Sequence, residues 1–569
     1  MGDRVNRMMR VSRPRRAVLL ILAAVAGQPS SSADGADDAT PGSIRPAFAQ
    51  TDASSPEAAA GHPTSQGPSQ DELNRADAEP SNWLTYNKGY LGYRFSKLDQ
   101  INAHNVRDLK VICTFKLDEK GSFQNGPIEY AGTLYTTSAL AIFAIDAATC
   151  EKRWEYLHSP GYIPVANNKG AAIAGGRVIR GTPDGHLIAL DAKTGALLWD
   201  RQIMDPTDGE FATAAPLVWN DLVFMGKAGA DFGIRGEMMA FHALDGAKVW
   251  GFYLVPGPGE VGSETWENPA SIEHGGGSTW TSYSLDPAVG LLMIPVGNPA
   301  PDFAKEMRPG ANLFTDSLVA LDAATGQLRW WHQLVAGDDR DWDTSVVAAF
   351  DLADGSKLAA AAGKDGVLHV VDRANGKLKF TAPLVSRYLN TTTEVTAGAG
   401  IRLCPTAAVQ WNGPAYSPSA NLIYMNGIDW CAQAIKGPLP PYVKGQSYLG
   451  WANAFGTRDP IDQAFGLVNA IDPATGQLKW RYRTSALPLG AITATAGGLV
   501  MTGETNGDFV ALSDATGEEL YKINLGGAIG GGMITYEASG KQLIAVAAGH
   551  NASYYGAEGD NEIVVLGLP

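Results

Sequence analysis

The sequence predicts an all-β fold, an eight-bladed β-propeller whose four-stranded blades dock on one another through tryptophans. Three observations predict it. The 569 residues include 66 glycines and 14 tryptophans, a balance suited to many short strands joined by tight turns. One pattern recurs: an apolar strand, usually Asp, two or three small residues, Gly, and an aromatic four residues after that glycine. The copies are spaced widely enough for each to mark one blade.

They read AIDAATCEKRW (144–154), ALDAKTGALLW (189–199), AFHALDGAKVW (240–250), ALDAATGQLRW (320–330), VVDRANGKLKF (370–380), AIDPATGQLKW (470–480) and ALSDATGEELY (511–521). Apolar residues before the Asp form a strand, Asp-x-x-x-Gly closes a turn needing positive φ, and the next strand presents the aromatic. Turn positions Cys150, Gly195, Gly246, Gly326, Gly376, Gly476 and Gly517 stand 45, 51, 80, 50, 100 and 41 residues apart. The gap of 80 implies one unit plus an insertion. The gap of 100 implies two units, with a degenerate copy near 422–430, which makes eight. The last strand, 562–568, is expected to pair near 83–93 and close the ring, hiding strand edges. A linear solenoid is the competing architecture, but its β-helix repeats are shorter.

Residues 1–26 read as a signal peptide: Arg10, Arg13, Arg15 and Arg16 precede the short apolar run 17–26, which ends in the A-x-A site Ala24-Val25-Ala26. Ala47-Phe48-Ala49 is a second cleavage candidate. Residues 27–80, rich in Ser, Ala, Pro, Asp and Gly, read as a disordered linker. The propeller then occupies 81–569. No later stretch is apolar for long enough to span a bilayer, so a periplasmic chain without a transmembrane segment is expected. A formal charge of -15 argues against nucleic acid as a partner. The four cysteines suit disulfides in an exported protein and allow three connectivities. The simplest pairs Cys113 with Cys150 and Cys404 with Cys431. No CxxCH occurs, so no covalent c-type haem is encoded.

From about Asn82 onward the chain resembles the pyrroloquinoline quinone (PQQ) dependent alcohol dehydrogenases. The blocks that carry the resemblance are SNWLTYNKGYLGYRFSKLDQINAHNV (81–106), GADFGIRG (229–236), HGGGSTW (274–280), GNPAP (297–301), RPGANLFTDSLVALDAATGQLRW (308–330) and DRDWD (339–343). The resemblance implies an alcohol oxidised by hydride transfer to PQQ, with a metal ion polarising the quinone carbonyl. It places Asp343 as general base and possible metal contact, and Asp231 and Asn298 as metal ligands. An oxygen-donor set of this kind suits calcium. Lanthanide-using members carry another Asp two residues after the base, where this chain has Ser345, so calcium is the expected ion.

The resemblance also makes Trp280 the surface on which PQQ stacks, Lys364 the donor to its carbonyls and Lys169 the partner of a PQQ carboxylate. Thr213, Ser278 and Gln124 are further polar contacts. Bland readings exist for each: Asp231 as a turn carboxylate, Asp343 as a strand-end carboxylate, Trp280 as core, Lys169 as a solvated surface lysine. Asp338, Asp339 and Asp341 read as bystanders near the base.

Several features depart from the family. Tyr162-Ile163-Pro164-Val165-Ala166 replaces an adjacent-cysteine cap over PQQ, Gln124 stands near an expected Glu, and Leu489 lies where tryptophan is frequent. VQWNGPAYSP (409–418) inverts the usual order of Asn and Trp. An apolar cap and altered roof imply a bulky or secondary alcohol, small or polymeric, over methanol. Electrons would pass to an external acceptor such as a periplasmic cytochrome c. The alternatives are a non-catalytic exported propeller scaffold, which needs the repeat but not the site residues, and a hydrolytic or sugar-binding propeller, which no separate motif supports.

Overall fold

Each copy of the repeat folds as the hairpin between the third and fourth strands of one sheet, as in Ser317–Asp322 and Leu328–Gln333. Gly326 turns that hairpin at φ +72, and a Cβ there would lie 2.6 Å from the Trp250 ring of the preceding sheet. The indole nitrogen of Trp250 donates to the Ala323 carbonyl in the same turn at 3.1 Å. Trp154, Trp199, Trp330 and Trp480 donate in the same way to Ala192, Ala243, Arg373 and Asp514. Glycine is therefore required for two reasons, its positive φ and the ring seated on it. Tryptophan supplies both apolar area and a donor to the turn carbonyl.

The computed structural model describes residues 67–119, 121–395, 400–451, 456–551 and 555–569. Seven four-stranded antiparallel meanders follow one another at 128–157, 172–202, 217–253, 284–333, 344–383, 415–483 and 493–524. We number them blades 1 to 7. The eighth joins Met533–Ala538, Lys541–Ala548 and Glu562–Gly567 to Lys110–Lys116 from the other end of the chain. Apolar faces of neighbouring blades pack into the core between them. The predicted eight-bladed architecture is present.

Three details differ from expectation. Leu422–Asp429 is not a degenerate repeat but the second strand of blade 6, so the gap of 100 holds one blade and an insertion. That insertion includes a small sheet of Ile401–Leu403, Ala432–Ala434 and Thr457–Arg458. Blade 8 carries no repeat motif because its last two strands come from opposite ends of the chain and share no turn. Second, the final strand pairs with Lys110–Lys116, while Trp83 bridges to Glu129. Third, the expected disorder stops before residue 80. A short helix, Gln70–Arg75, opens with a Ser69–Glu72 capping box and buries Leu73. The expected signal peptide and the linker up to residue 66 lie outside the described residues. Among the described residues, no helix is long and apolar enough to cross a membrane.

Both expected disulfides form, Cys113–Cys150 and Cys404–Cys431. Cys113 follows a register shift in its strand, as Trp154 does in blade 1. It therefore holds the docking position of blade 8, and Cys150 holds the turn position of blade 1 at φ +61. A covalent bond replaces the tryptophan dock where the ring closes.

Candidate active site

Pairing of Thr344–Asp351 with Lys357–Gly363 brings Asp343 and Lys364 side by side, one residue beyond each strand end. The Lys364 amide donates to the Asp343 carbonyl at 3.0 Å. The ammonium of Lys364 lies 2.5 Å from Asp343 Oδ2 and 2.6 Å from Asp341 Oδ1. Asp343 Oδ1 accepts the Asn298 backbone N–H at 2.8 Å. Gly297 makes that approach possible, since a Cβ there would lie 2.3 Å from Asp343 Oδ1. Burial pushes Lys364 down, but the carboxylates of Asp341, Asp343 and Asp231 outweigh it and hold the ammonium charged far above its ordinary range.

Two adjoining cavities of about 190 and 360 Å³ open beside this pair and share Val165, Asn167, Asp231, Trp280 and Lys364 as walls. Asp231 sits on a single 3-10 turn, Ala230–Phe232, and its side chain is open to the cavity although the turn lies deep in the molecule. Its carbonyl accepts the Tyr448 amide of the blade 6 insertion at 2.6 Å. Depth in the molecule raises the Asp231 carboxyl above its usual range, Lys364 opposing the effect and Asp343 adding to it. Asp231, Asp302 and Asp341 place carboxylate oxygens within 4.8 Å of one another. Burial pushes Asp302 and Asp341 well above the carboxylate range; at Asp302 the charges of Asp231, Asp341 and Asp343 add to it, and at Asp341 Lys364 opposes it while Asp343 and Asp231 add to it. A hard cation among these oxygens would remove that conflict, so the donor set fits one.

Trp280 presents a half-buried ring to both cavities and is backed by an apolar cluster that includes Trp411, Trp430 and Leu489. The Lys169 ammonium is fully buried 4.7 Å from the Trp280 ring centroid and has no hydrogen-bond partner. Burial pushes it down to about 7, with Asp343 opposing the shift. A flat apolar wall beside an orphaned cation fits a planar anion stacked on the indole.

The remaining expected residues take different parts. Thr213 lines one cavity but donates its hydroxyl to the Trp280 carbonyl at 2.8 Å, so it holds the ring in place. Ser278 lines the same cavity. Gln124 lines the other and is tied to Asn167 and Ser122 at 3.1 Å each. Asn298 is buried behind Asp343 and is absent from the cavity walls. Val165, from the stretch expected to form an apolar cap, lines both cavities. Sequence reasoning did not single out Asp302 and set Asp341 aside as a bystander, whereas the structure brings both carboxylates beside Asp231. Asp302 directly follows GNPAP, and that adjacency was the available signal.

Residues 83–382 match the family model described as PQQ, glucose/ethanol/alcohol dehydrogenase, beta-propeller domain, and residues 464–561 match that of outer membrane protein assembly factor BamB. A quinoprotein ethanol dehydrogenase of Pseudomonas putida is 31% identical over 83% of this chain and 86% of its own length. A lanthanide-dependent methanol dehydrogenase of Methylacidiphilum fumariolicum is 30% identical over 84% of this chain and 86% of its own. The solved structure of a europium-containing methanol dehydrogenase superposes with a TM-score of 0.78 at 27% identity, covering 88% of this chain and all of that one.

Proposed function

Because the chain belongs to the PQQ-dependent alcohol dehydrogenase family, we propose that it oxidises a bulky or secondary alcohol in the cavity beside Trp280, with Asp343 as general base. The observation that carries this reading is the Asp343–Lys364 pair at the mouth of a cavity floored by Trp280 and bordered by an unpartnered Lys169. A scaffold has no use for that arrangement. The match to an assembly factor covers only 464–561, which includes none of these residues.

PQQ supplies an electrophilic quinone that accepts the hydride. Trp280 and Lys169 would hold its ring and a carboxylate, and Asp231, with the carboxylates beside it, the metal ion. Asp343 is positioned by the Asn298 amide and would receive the substrate hydroxyl proton on a carboxylate oxygen. Lys364 would keep positive charge beside the quinone oxygen as negative charge develops there. Val165 and the 162–166 cap would exclude water and meet an alkyl substituent. We also propose export to the periplasm and release of electrons to a separate acceptor such as a cytochrome c.

Loading the full chain with PQQ and metal and reading dye reduction across an alcohol panel tests this. Larger and secondary alcohols should give higher kcat/KM than methanol. Methanol as best substrate would reject the bulky-alcohol reading, and no reduction by any alcohol would reject the activity.

Lys169 adds a pH signature. Its proton is held only up to about pH 7 in the free site, whereas a bound carboxylate would keep it charged. PQQ binding above pH 7 therefore takes up a proton, and affinity should fall by up to about tenfold per pH unit there. Equilibrium titration at pH 6.5 and 8.5 checks this, and Lys169→Arg should flatten the profile because guanidinium stays charged. Equal affinity at both pH values in the parent would remove Lys169 from the carboxylate site.

A further inference from the structure

We infer that the substrate carries a second hydroxyl, so that the enzyme acts on a diol or polyol, and that Ser122 and Asn551 in the second cavity bind that group. The inference rests on the reading above that an alcohol is oxidised beside Asp343. Asp343 lines the first cavity, while Asp231 and Lys364 wall both, so the two cavities meet beside the base. A substrate larger than a single carbinol therefore extends from Asp343 into the second cavity, the larger of the two at about 360 Å³.

The charged walls of the second cavity are Asp231, Asp341 and Lys364, and that ammonium is already held by Asp341 and Asp343. Among its other walls are the neutral polar side chains Ser122, Gln124, Asn167, Gln410 and Asn551. All of these but Gln410 form one hydrogen-bonded run. The Asn167 amide donates to Gln124 Oε1 at 3.1 Å, the Gln124 amide to Ser122 Oγ at 3.1 Å, and the Ser122 hydroxyl to Asn551 Oδ1 at 3.3 Å. The run leaves one buried atom over at each end. Among the described residues, Asn167 Oδ1 accepts from nothing and Asn551 Nδ2 donates to nothing.

A buried amide atom without a partner is unfavourable, and two on one run call for a group supplied from outside the chain. A carbonyl or ether could only accept and an ammonium only donate, whereas a hydroxyl does both. Reversing all three amides reverses the run and exchanges its loose ends, and a hydroxyl suits either sense. Trp411, on the same wall, donates its N–H to the Gly530 carbonyl at 2.6 Å, which leaves its ring to meet the carbon skeleton. The hydroxyl of a simple alkanol is needed at Asp343 and cannot serve the run as well.

The test uses the full chain loaded with PQQ and metal. It compares kcat/KM by dye reduction within matched pairs, 2-butanol against 2,3-butanediol and 2-pentanol against 2,4-pentanediol. At least one diol should exceed its mono-alcohol about tenfold or more, because a site built to hydrogen-bond a hydroxyl discriminates against the analogue that lacks it. In Ser122→Ala and Asn551→Leu that ratio should fall toward one while PQQ affinity, titrated separately, stays parental. Two variants keep the test available if one fails to fold. Mono-alcohols oxidised as well as both diols by the parent would overturn the inference and leave the activity standing. A ratio unmoved in the folded variants, or one that falls only together with PQQ affinity, would also overturn it, the latter by giving the run to the quinone. No oxidation of any alcohol would instead remove the activity reading itself.

Discussion

Asp343→Asn should bind PQQ like the parent yet turn over alcohol about 100-fold more slowly or worse, the usual worth of a positioned base, about 2.7 kcal/mol of barrier. Asparagine keeps the shape and can still accept the Asn298 N–H that Asp343 Oδ1 accepts at 2.8 Å. It cannot take a proton from a hydroxyl, and its amide hydrogens would face the Lys364 ammonium now 2.5 Å from Oδ2. Two donors meeting there would push Lys364 toward Asp341, its other partner at 2.6 Å. The measurement is the single-turnover rate of quinone reduction by one good alcohol, with bound PQQ quantified in the same sample. Parental rates in a PQQ-loaded variant would take Asp343 out of the chemistry.

The second large effect lies at the ring closure. Cys113→Ala/Cys150→Gly removes the only disulfide between blade 8 and blade 1 among the described residues, and its glycine accepts the positive φ of position 150. With a sequence separation of 37 between the cysteines, the lost restraint on the unfolded chain is worth about 3–4 kcal/mol. A chain of this size need not unfold in one step, so the local opening energy is the quantity to measure. Amide exchange should speed most in Lys110–Lys116 and Glu562–Gly567, the two strands that close the ring. Tyr521 marks the other flank of blade 8, donating its hydroxyl to the Leu109 carbonyl at 2.8 Å, and exchange should rise there next. Unchanged exchange in both closing strands would show that pairing and packing alone hold the ring shut.

The fold was legible because its signal is local and repeated. Asp-x-x-x-Gly followed by an aromatic encodes a hairpin within about a dozen residues, and copies at blade spacing imply radial stacking. Cys150 announced itself by standing where the turn needs positive φ, and its partner was the simplest of three. Trp280, Asp231 and Asp343 were legible through ordered motif blocks and Lys364 through the family resemblance, and the structure gathers them around one pair of cavities.

What the sequence could not determine depends on residues far apart in the chain. Blade 8 was misplaced because its closing contact joins residues 110–116 to 562–567, and no hairpin turn records that pairing. The 100-residue gap looked like two repeats because length alone cannot separate a degenerate blade from an insertion that packs over the site. Only the fold shows Tyr448 of that insertion gripping the Asp231 carbonyl. Asp302 and Asp341 are ordinary carboxylates in a sequence with 59 acidic residues. They become a candidate metal pocket only when the ring brings three loops to one place and burial strips water from their oxygens, because a carboxylate's chemistry is set by its neighbours and its solvation.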